Sequence, residues 1–255
     1  EYQGGRITAL WHPSENLNIT LQYVTQEADQ DGISSSQLSL GGYNQIALQF
    51  GDVFGGQDEG TKNDLDFTSL VLEYDFGWAS MLSSSSWLEG SGDLFIDFTS
   101  FFGGATTFVS RLDEDADSFV QELRLVSQLD GPFQYLVGLY YEDIDRVFHN
   151  RAHVLGDMSL QAFGPSPFGP SSSKLTETSI ERFLTQKAAF GELSYAISDQ
   201  LELTVGARWF DYDKKRHQVQ AGAFGNNDTT LTTEESDTIF KANLSYRPDE
   251  NSLFY

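Results

Sequence analysis

Residues 201–213 read LELTVGARWFDYD, and apolar side chains alternate with polar ones along most of this stretch. The odd positions up to 209 are apolar: Leu201, Leu203, Val205, Ala207 and Trp209. The even positions carry a polar side chain or none: Glu202, Thr204, Gly206 and Arg208. Because successive side chains of a β-strand point to opposite faces, this period of two predicts a strand with one apolar and one polar face.

The same alternation recurs along most of the chain, for example over residues 133–143. Helical periodicity is nearly absent, so the sequence predicts an all-β fold. We expect nine strands and the start of a tenth, at 5–12, 17–28, 65–75, 78–88, 118–128, 133–145, 186–196, 201–213, 237–247 and 252–255.

Two kinds of connection alternate between these strands. The short ones are rich in turn-forming residues and lie at 12–16, 76–77, 129–132, 197–200 and 248–251. The long ones lie at about 29–64, 89–117, 146–185 and 214–236. In an up-and-down sheet the turns lie alternately at the two rims, so one rim is short and the other elaborated. Outer-membrane barrels have this arrangement, with short periplasmic turns and long extracellular loops.

The polar face of the predicted strands carries charged groups at mid-strand: Glu73, Glu122, Arg124, Glu192, Glu202, Arg208 and Lys241. Such charges are costly in a dry core but are tolerated in the wet interior of a wide barrel. We therefore predict a segment of an antiparallel up-and-down transmembrane β-barrel of about nine to ten strands, with the apolar face toward lipid. Because an open sheet exposes two edges, we expect it to continue into a larger barrel.

Aromatic residues lie toward both ends of the predicted strands. One set flanks the short turns: Trp11, Trp78, Phe133, Tyr195 and Tyr246. The other lies toward the long loops: Tyr23, Trp87, Tyr141, Trp209 and Tyr212. Two aromatic girdles separated by an aliphatic band are typical of a wall that crosses both interfaces of a bilayer.

The composition excludes several classes of protein. The 255 residues include 38 acidic and 15 basic side chains, for a net charge of −23, and no cysteine. The acidity argues against nucleic-acid binding, which needs Lys and Arg to replace counterions. The lack of cysteine excludes disulfide scaffolds, thiolate metal sites and cysteine nucleophiles.

Several strand segments resemble the barrel of TonB-dependent outer-membrane receptors. They are SFVQELRL at 118–125, GPFQYLVGLYY at 131–141, AFGELSY at 189–195, residues 201–213, FKANLSY at 240–246 and LFY at 253–255. The likeness covers most strands from about residue 118 onward, the earlier ones more loosely, and hardly any of the long loops.

The resemblance implies a plugged barrel of about 22 strands in the outer membrane of a Gram-negative bacterium. Its ligand would be an iron–siderophore complex, haem, cobalamin or a glycan, and its energy would come from the TonB complex. Three family features are not found: a TonB box, a plug domain and a terminal strand ending in an aromatic residue. On this reading, residues 1–255 are part of one barrel domain, and no ligand-contacting residue can be carried over from the family.

The loops hold three candidate sites, each with a simpler interpretation. Asp113–Asp117 has the D-x-D-x-D spacing of a calcium loop, but Ser118 and Arg124 replace the Gly and Glu of an EF-hand. We expect a solvated acidic loop there. The acidic loops as a group are also placed to hold divalent cations near lipopolysaccharide.

His149 and His153 are four residues apart, a spacing that would bind a metal or haem on a helix. We expect neutral surface histidines instead. Arg146 and Arg151 would either meet an anionic siderophore or offset Asp143 and Asp145, and the second interpretation is favoured.

No nucleotide-binding, hydrolase or zinc-protease motif is present, so we predict a transporter rather than an enzyme, with no cofactor. Two alternatives remain open. One is a passive porin or a smaller outer-membrane barrel, and the other is a soluble carbohydrate-binding β-sandwich.

Overall fold

The computed structural model describes residues 1–32, 59–97, 107–155, 174–222, 225–249 and 252–255. These residues form one antiparallel ten-stranded sheet, in which each strand pairs with its neighbours in sequence. The strands are β1 Tyr2–Ser14, β2 Leu17–Asp31, β3 Gly60–Asp75, β4 Ala79–Asp97, β5 Thr107–Ser127, β6 Phe133–Leu155, β7 Lys174–Ser198, β8 Leu201–Gly222, β9 Asn227–Asp249 and β10 Ser252–Phe254.

This topology confirms the predicted fold class. All ten predicted strands are present, and the order is up-and-down throughout. Among the described residues β1 pairs with β2 alone and β10 with β9 alone, so the sheet is an unclosed barrel wall. A soluble sandwich is wrong for these residues, because a sandwich needs two sheets packed face to face. No helix in the described ranges is long and apolar enough to cross a membrane.

Six strands are far longer than predicted, and they extend at the long-connection end. The strands β4 to β9 contain 19, 21, 23, 25, 22 and 23 residues. A membrane-spanning strand needs only about 9–11 residues. The extra residues therefore extend the sheet beyond the apolar band, toward the long connections.

The predicted long connections are correspondingly too long. The segment 214–236 is wrong as a loop, because β8 ends at Gly222 and β9 begins at Asn227. The segment 89–117 likewise belongs mostly to β4 and β5. In these extensions apolar side chains such as Phe95, Val109 and Ile180 are scattered among polar ones, so no period of two marks the extensions in the sequence. The centres of the other long connections lie outside the described residues.

The short turns lie where they are predicted. At 76–77 the Phe76 N–H donates to the carbonyl of Ala79 at 2.9 Å, and the Gly77 N–H donates to the Asp75 carboxylate at 2.7 Å. Gly77 has a φ of +83°. Only glycine adopts this conformation without strain, which explains its presence in so tight a connection.

The apolar face of the sheet is exposed, in contrast to the apolar side chains in the core of a soluble protein. The apolar side chains of Leu139, Val205 and Leu203 are 58%, 42% and 37% exposed. On the polar face of β8, Arg208 is half-buried and Glu202 is exposed. The apolar side chains are thus not packed together inside a globule.

Most of the aromatic residues of the two predicted girdles lie on the apolar face of the sheet. Register and parity place Trp11, Tyr23, Trp87, Tyr141 and Trp209 on the apolar face.

Tyr212 is wrong as a girdle residue, because it lies on the polar face and donates a hydrogen bond to Glu235 at 2.7 Å. Phe119 takes part instead, with its ring centroid 5.4 Å from that of Trp87 and 6.1 Å from that of Tyr141. Position 119 has the parity of the apolar residues of β5, so the sequence held this signal.

Candidate functional site

The polar face of the sheet brings together the charged groups that the alternation predicts. The strand registers place all seven on one face: Glu73, Glu122, Arg124, Glu192, Glu202, Arg208 and Lys241. In a closed barrel this face lines the interior. It is therefore the candidate site for anything that enters the barrel.

At mid-strand, this face carries an aromatic–arginine cluster formed by Tyr140, Phe190 and Arg208. The Arg208 guanidinium carbon lies 5.5 Å from the ring centroid of Tyr140 and 5.6 Å from that of Phe190. Both distances allow a cation–π interaction. The Phe190 ring lies over Gly138, where an added Cβ would be 2.3 Å from the ring.

An ion pair crosses the wall beside this cluster. The Lys241 ammonium donates to the Glu192 carboxylate at 2.9 Å, although Glu192 is on β7 and Lys241 is on β9. The residue between them in register is Gly206 on β8. The missing side chain lets Glu192 reach across, since a Cβ there would be 2.9 Å from Glu192 Cγ. A hollow of about 290 Å³ is lined by these groups together with Arg208.

A second group of ion pairs lies on the opposite face, in the extensions of β4, β5 and β6. Arg111 donates to Asp93 at 2.7 Å and to Asp113 at 2.9 Å, and Arg151 also pairs with Asp113. Burial raises the pKa of Asp113, but the hydrogen bond from Arg151 and the neighbouring Arg111 outweigh it and hold that pKa below its usual value. These contacts tie three strands together beyond the apolar band.

The predicted acidic loop at 113–117 is therefore wrong, because Asp113–Asp117 belongs to β5. Asp113, Asp115 and Asp117 lie on the face of the apolar residues, and Glu114 lies on the other. No group of three or more His, Asp or Glu side chains in the described part of the chain is arranged to hold a metal ion.

The histidine and arginine candidates are separated by the strand geometry of β6. His149 and His153 are about 13 Å apart along an extended strand, so they cannot bind one ion as they would on a helix. The favoured interpretation of Arg146 and Arg151 is wrong. Arg151 pairs with Asp113, and Arg146 lies on the face opposite to Asp143 and Asp145.

His217 bridges two carboxylates in the extensions of β7, β8 and β9, and sequence reasoning missed it. Its Nδ1 lies 3.4 Å from Glu181 and its Nε2 lies 3.0 Å from Asp228. A neutral imidazole has one N–H, so only the protonated ring donates to both carboxylates. Accordingly, the hydrogen bonds to Asp228 and Glu181 raise the pKa of His217 above its usual value.

We therefore expect the first part of β9, which pairs with the extension of β8, to open more readily as pH rises. The stabilisation is fully present below the unfolded-state pKa of about 6.5, and it is lost as pH passes through the raised pKa of the folded state. Hydrogen exchange over residues 227–235, corrected for intrinsic rates, should be faster at pH 8 than at pH 6. His217→Gln should remove this difference, and an equal difference in that variant would exclude His217 as its cause.

Comparison with known proteins gives one family and a set of similar folds. The model of the family "TonB dependent receptor-like, beta-barrel" matches residues 7–255. No curated protein matches the sequence.

Three solved structures are similar over 98% of this chain. The ferric yersiniabactin uptake receptor FyuA from Yersinia pestis has a TM-score of 0.71 at 12% identity, with 35% of its length covered. The siderophore receptor PiuA from Acinetobacter baumannii has a TM-score of 0.60 at 14% identity, with 40% covered. The ferric-catecholate import receptor Fiu from E. coli K12 has a TM-score of 0.56 at 14% identity, with 41% covered. This chain therefore spans less than half of each receptor, and at these identities the similarity shows a shared fold only.

Proposed function

The chain belongs to the TonB-dependent receptor β-barrel family, and we propose that it is part of an outer-membrane active-transport receptor. The protein takes up an iron–siderophore complex or a similarly scarce nutrient through a plugged barrel. The family is one of transport receptors rather than enzymes.

The observation that carries this proposal is the sidedness of the sheet. Leu139 and Val205 are exposed on one face, and Arg208 and the Glu192–Lys241 pair lie on the other. A wall of this kind is stable between hydrocarbon and a wet interior, because each face then meets the medium that solvates it. The outer membrane of a Gram-negative bacterium provides both media.

Among the described residues, the sheet is open at β1 and at β10. Residues 1–255 form part of one barrel domain, with further strands beside β1 and β10. A plug fills the interior, and TonB acts through a box in the N-terminal part of the receptor. The aromatic girdles then lie at the two membrane interfaces, and the extensions of β4 to β9 rise into the extracellular space.

The extracellular extensions supply the proposed surroundings for ligand and lipopolysaccharide. The outward side of the extensions carries acidic side chains just above Trp87 and Phe119: Glu89, Asp117, Asp143 and Asp145. Burial and the neighbouring Asp143 and Asp117 raise the pKa of Asp145. Divalent cations would reduce this repulsion at the surface that faces lipopolysaccharide. The ligand itself, whether siderophore, haem, cobalamin or glycan, meets the inward side.

Growth on defined iron sources tests the function. Deletion of the gene should abolish growth on at least one ferric siderophore as the sole iron source, and deletion of tonB should abolish the same growth. Normal growth of the gene deletion on every ferric source, together with an open-channel conductance of the purified protein in planar bilayers, would favour a passive porin.

A further inference from the structure

Three arginines form one row on the polar face, in the extensions of adjacent strands. Arg146 on β6 is the register partner of Arg182 on β7, and Arg182 is the register partner of Arg216 on β8. Like charges placed directly opposite each other destabilise a sheet. A row of three such residues therefore carries a cost, which a bound anion would offset.

The row lies on the same face as the aromatic–arginine cluster. Arg216 and Arg208 are both even positions of β8, and no register shift separates them. Lys214 lies on this face as well, beside Arg216. The side chains of Arg146, Arg182, Arg216 and Lys214 thus all point toward the interior of the barrel.

The row is also on the extracellular side of the proposed membrane band. Tyr141 and Trp209 belong to the aromatic set that lies toward the long connections. Arg146 is five residues beyond Tyr141, and Arg216 is seven residues beyond Trp209. At about 3.3 Å per residue, the row lies about 17–23 Å along the strands beyond the girdle. A ligand arriving from outside would reach this part of the wall first.

In the described residues no acidic group pairs with these arginines. Glu114 pairs in register with Phe148 and is therefore diagonal to Arg146. No ion pair between Glu114 and Arg146 occurs among the described residues. One Arg216 guanidinium N–H donates to Gln218 at 2.6 Å. Arg216 Nε is buried and has no acceptor among the residues that the structure describes.

The arginines of the opposite face behave differently. Arg111 and Arg151, in the extensions of β5 and β6, both pair with Asp113. The extensions therefore carry acids enough to neutralise arginines on the outward face, whereas the inward row is left with its charge. Because no described acidic side chain neutralises the inward row, an oxyanion that entered the barrel would meet its full positive charge.

We propose that Arg146, Arg182 and Arg216, assisted by Lys214, bind a polyanionic ligand with oxygen donors at the mouth of the barrel. This inference rests on the proposed function and names the chemical class of its ligand. The guanidinium group matches carboxylate-type and phenolate oxygen pairs through two parallel hydrogen bonds, and such charge-assisted bonds are the strong ones.

The spacing of the row limits the shape of the ligand. Adjacent strands are about 4.8 Å apart, so the Cα atoms of Arg146 and Arg216 are separated by about 10 Å. A ligand that satisfies the row must therefore present several oxyanions around one centre. An anionic ferric chelate has this form, whereas a neutral chelate of the same size offers no net charge to the row.

The experiment compares two ferric chelates of similar size and different net charge. A ferric tris-catecholate is a trianion, and a ferric tris-hydroxamate is neutral. Binding of each chelate to the full-length protein in nanodiscs is measured by tryptophan fluorescence. The variants are Arg182→Gln, Arg182→Gln with Arg216→Gln, and the control Lys215→Gln, which changes an exposed cation on the opposite face of β8.

The trianion should bind to the wild type, about tenfold more weakly to the single variant and about a hundredfold more weakly to the double variant. The control should bind it as the wild type does. Trianion binding unchanged in the double variant, or weakened equally in the control, would overturn the proposal.

Binding of the neutral chelate alone would overturn the polyanion inference and leave the receptor function standing. Binding of neither chelate, with normal growth of the deletion strain on every ferric source, would count against both. Arg146 and Arg182 are both exposed. The substitution Arg182→Gln therefore relieves repulsion between them and should leave the fold intact. Circular dichroism of each variant checks the fold.

Discussion

Val205→Arg is expected to destabilise the folded barrel by about 2–4 kcal/mol, because it places a charge on the lipid face near the bilayer midplane. Val205 is 42% exposed and lies between Leu203 and Trp209 on the apolar face of β8. In lipid, the guanidinium group has no water to solvate it at this depth. Equilibrium guanidinium unfolding of the full-length protein in phospholipid vesicles measures the loss.

Thr204→Arg is the matched control, since Thr204 is the preceding residue and faces the interior. Its hydroxyl shares a hydrogen bond with Ser194 at 2.8 Å. Loss of that bond should cost about 1 kcal/mol, and the charge itself should cost little in a wet lumen. A larger loss for Thr204→Arg than for Val205→Arg would reverse the assignment of the two faces and remove the basis of the transport proposal.

Gly138→Ala is expected to cost about 1–3 kcal/mol, because the Phe190 ring occupies the space that a Cβ would need. Three ring atoms of Phe190 would lie 2.3, 2.6 and 2.9 Å from the added carbon. The ring must leave its place against Arg208, so the aromatic–arginine cluster is lost together with stability. The same unfolding experiment measures the effect.

Gly90→Ala provides the comparison, since Gly90 is also a mid-strand glycine on the polar face. An added Cβ there would meet its nearest atoms at 3.7–4.0 Å, which is ordinary contact. Its effect should stay within about 0.5 kcal/mol. Equal losses in the two variants would show that the steric fit at Gly138 contributes nothing.

The period of two identified the strands wherever one side of the sheet is apolar. Residues 201–213 and 133–143 are examples, because their apolar side chains recur at every second position. The same parity could have placed Tyr212 on the polar face and Phe119 on the apolar face. Position along the strand does not distinguish these two residues from the girdle residues, whereas odd or even position does.

The strand extensions could not be predicted in this way. The sequence from Asn227 to Glu235 is NDTTLTTEE and has no apolar face, yet it pairs with β8 residue by residue. Both of its sides meet water, so no hydrophobic pattern is selected there. Backbone hydrogen bonds to the neighbouring strand hold it, and these depend little on which side chains are present.

The sequence pattern thus predicted the all-β class, the order of the strands, the short turns and which side chains lie on the apolar face of the sheet. All of these follow from local chemistry, since alternation and turn residues act within a few positions. The tertiary structure alone decided which residues meet across the wall. Arg146, Arg182 and Arg216 are far apart in the chain and become neighbours only through the register of three strands, which is set by pairing along their whole length.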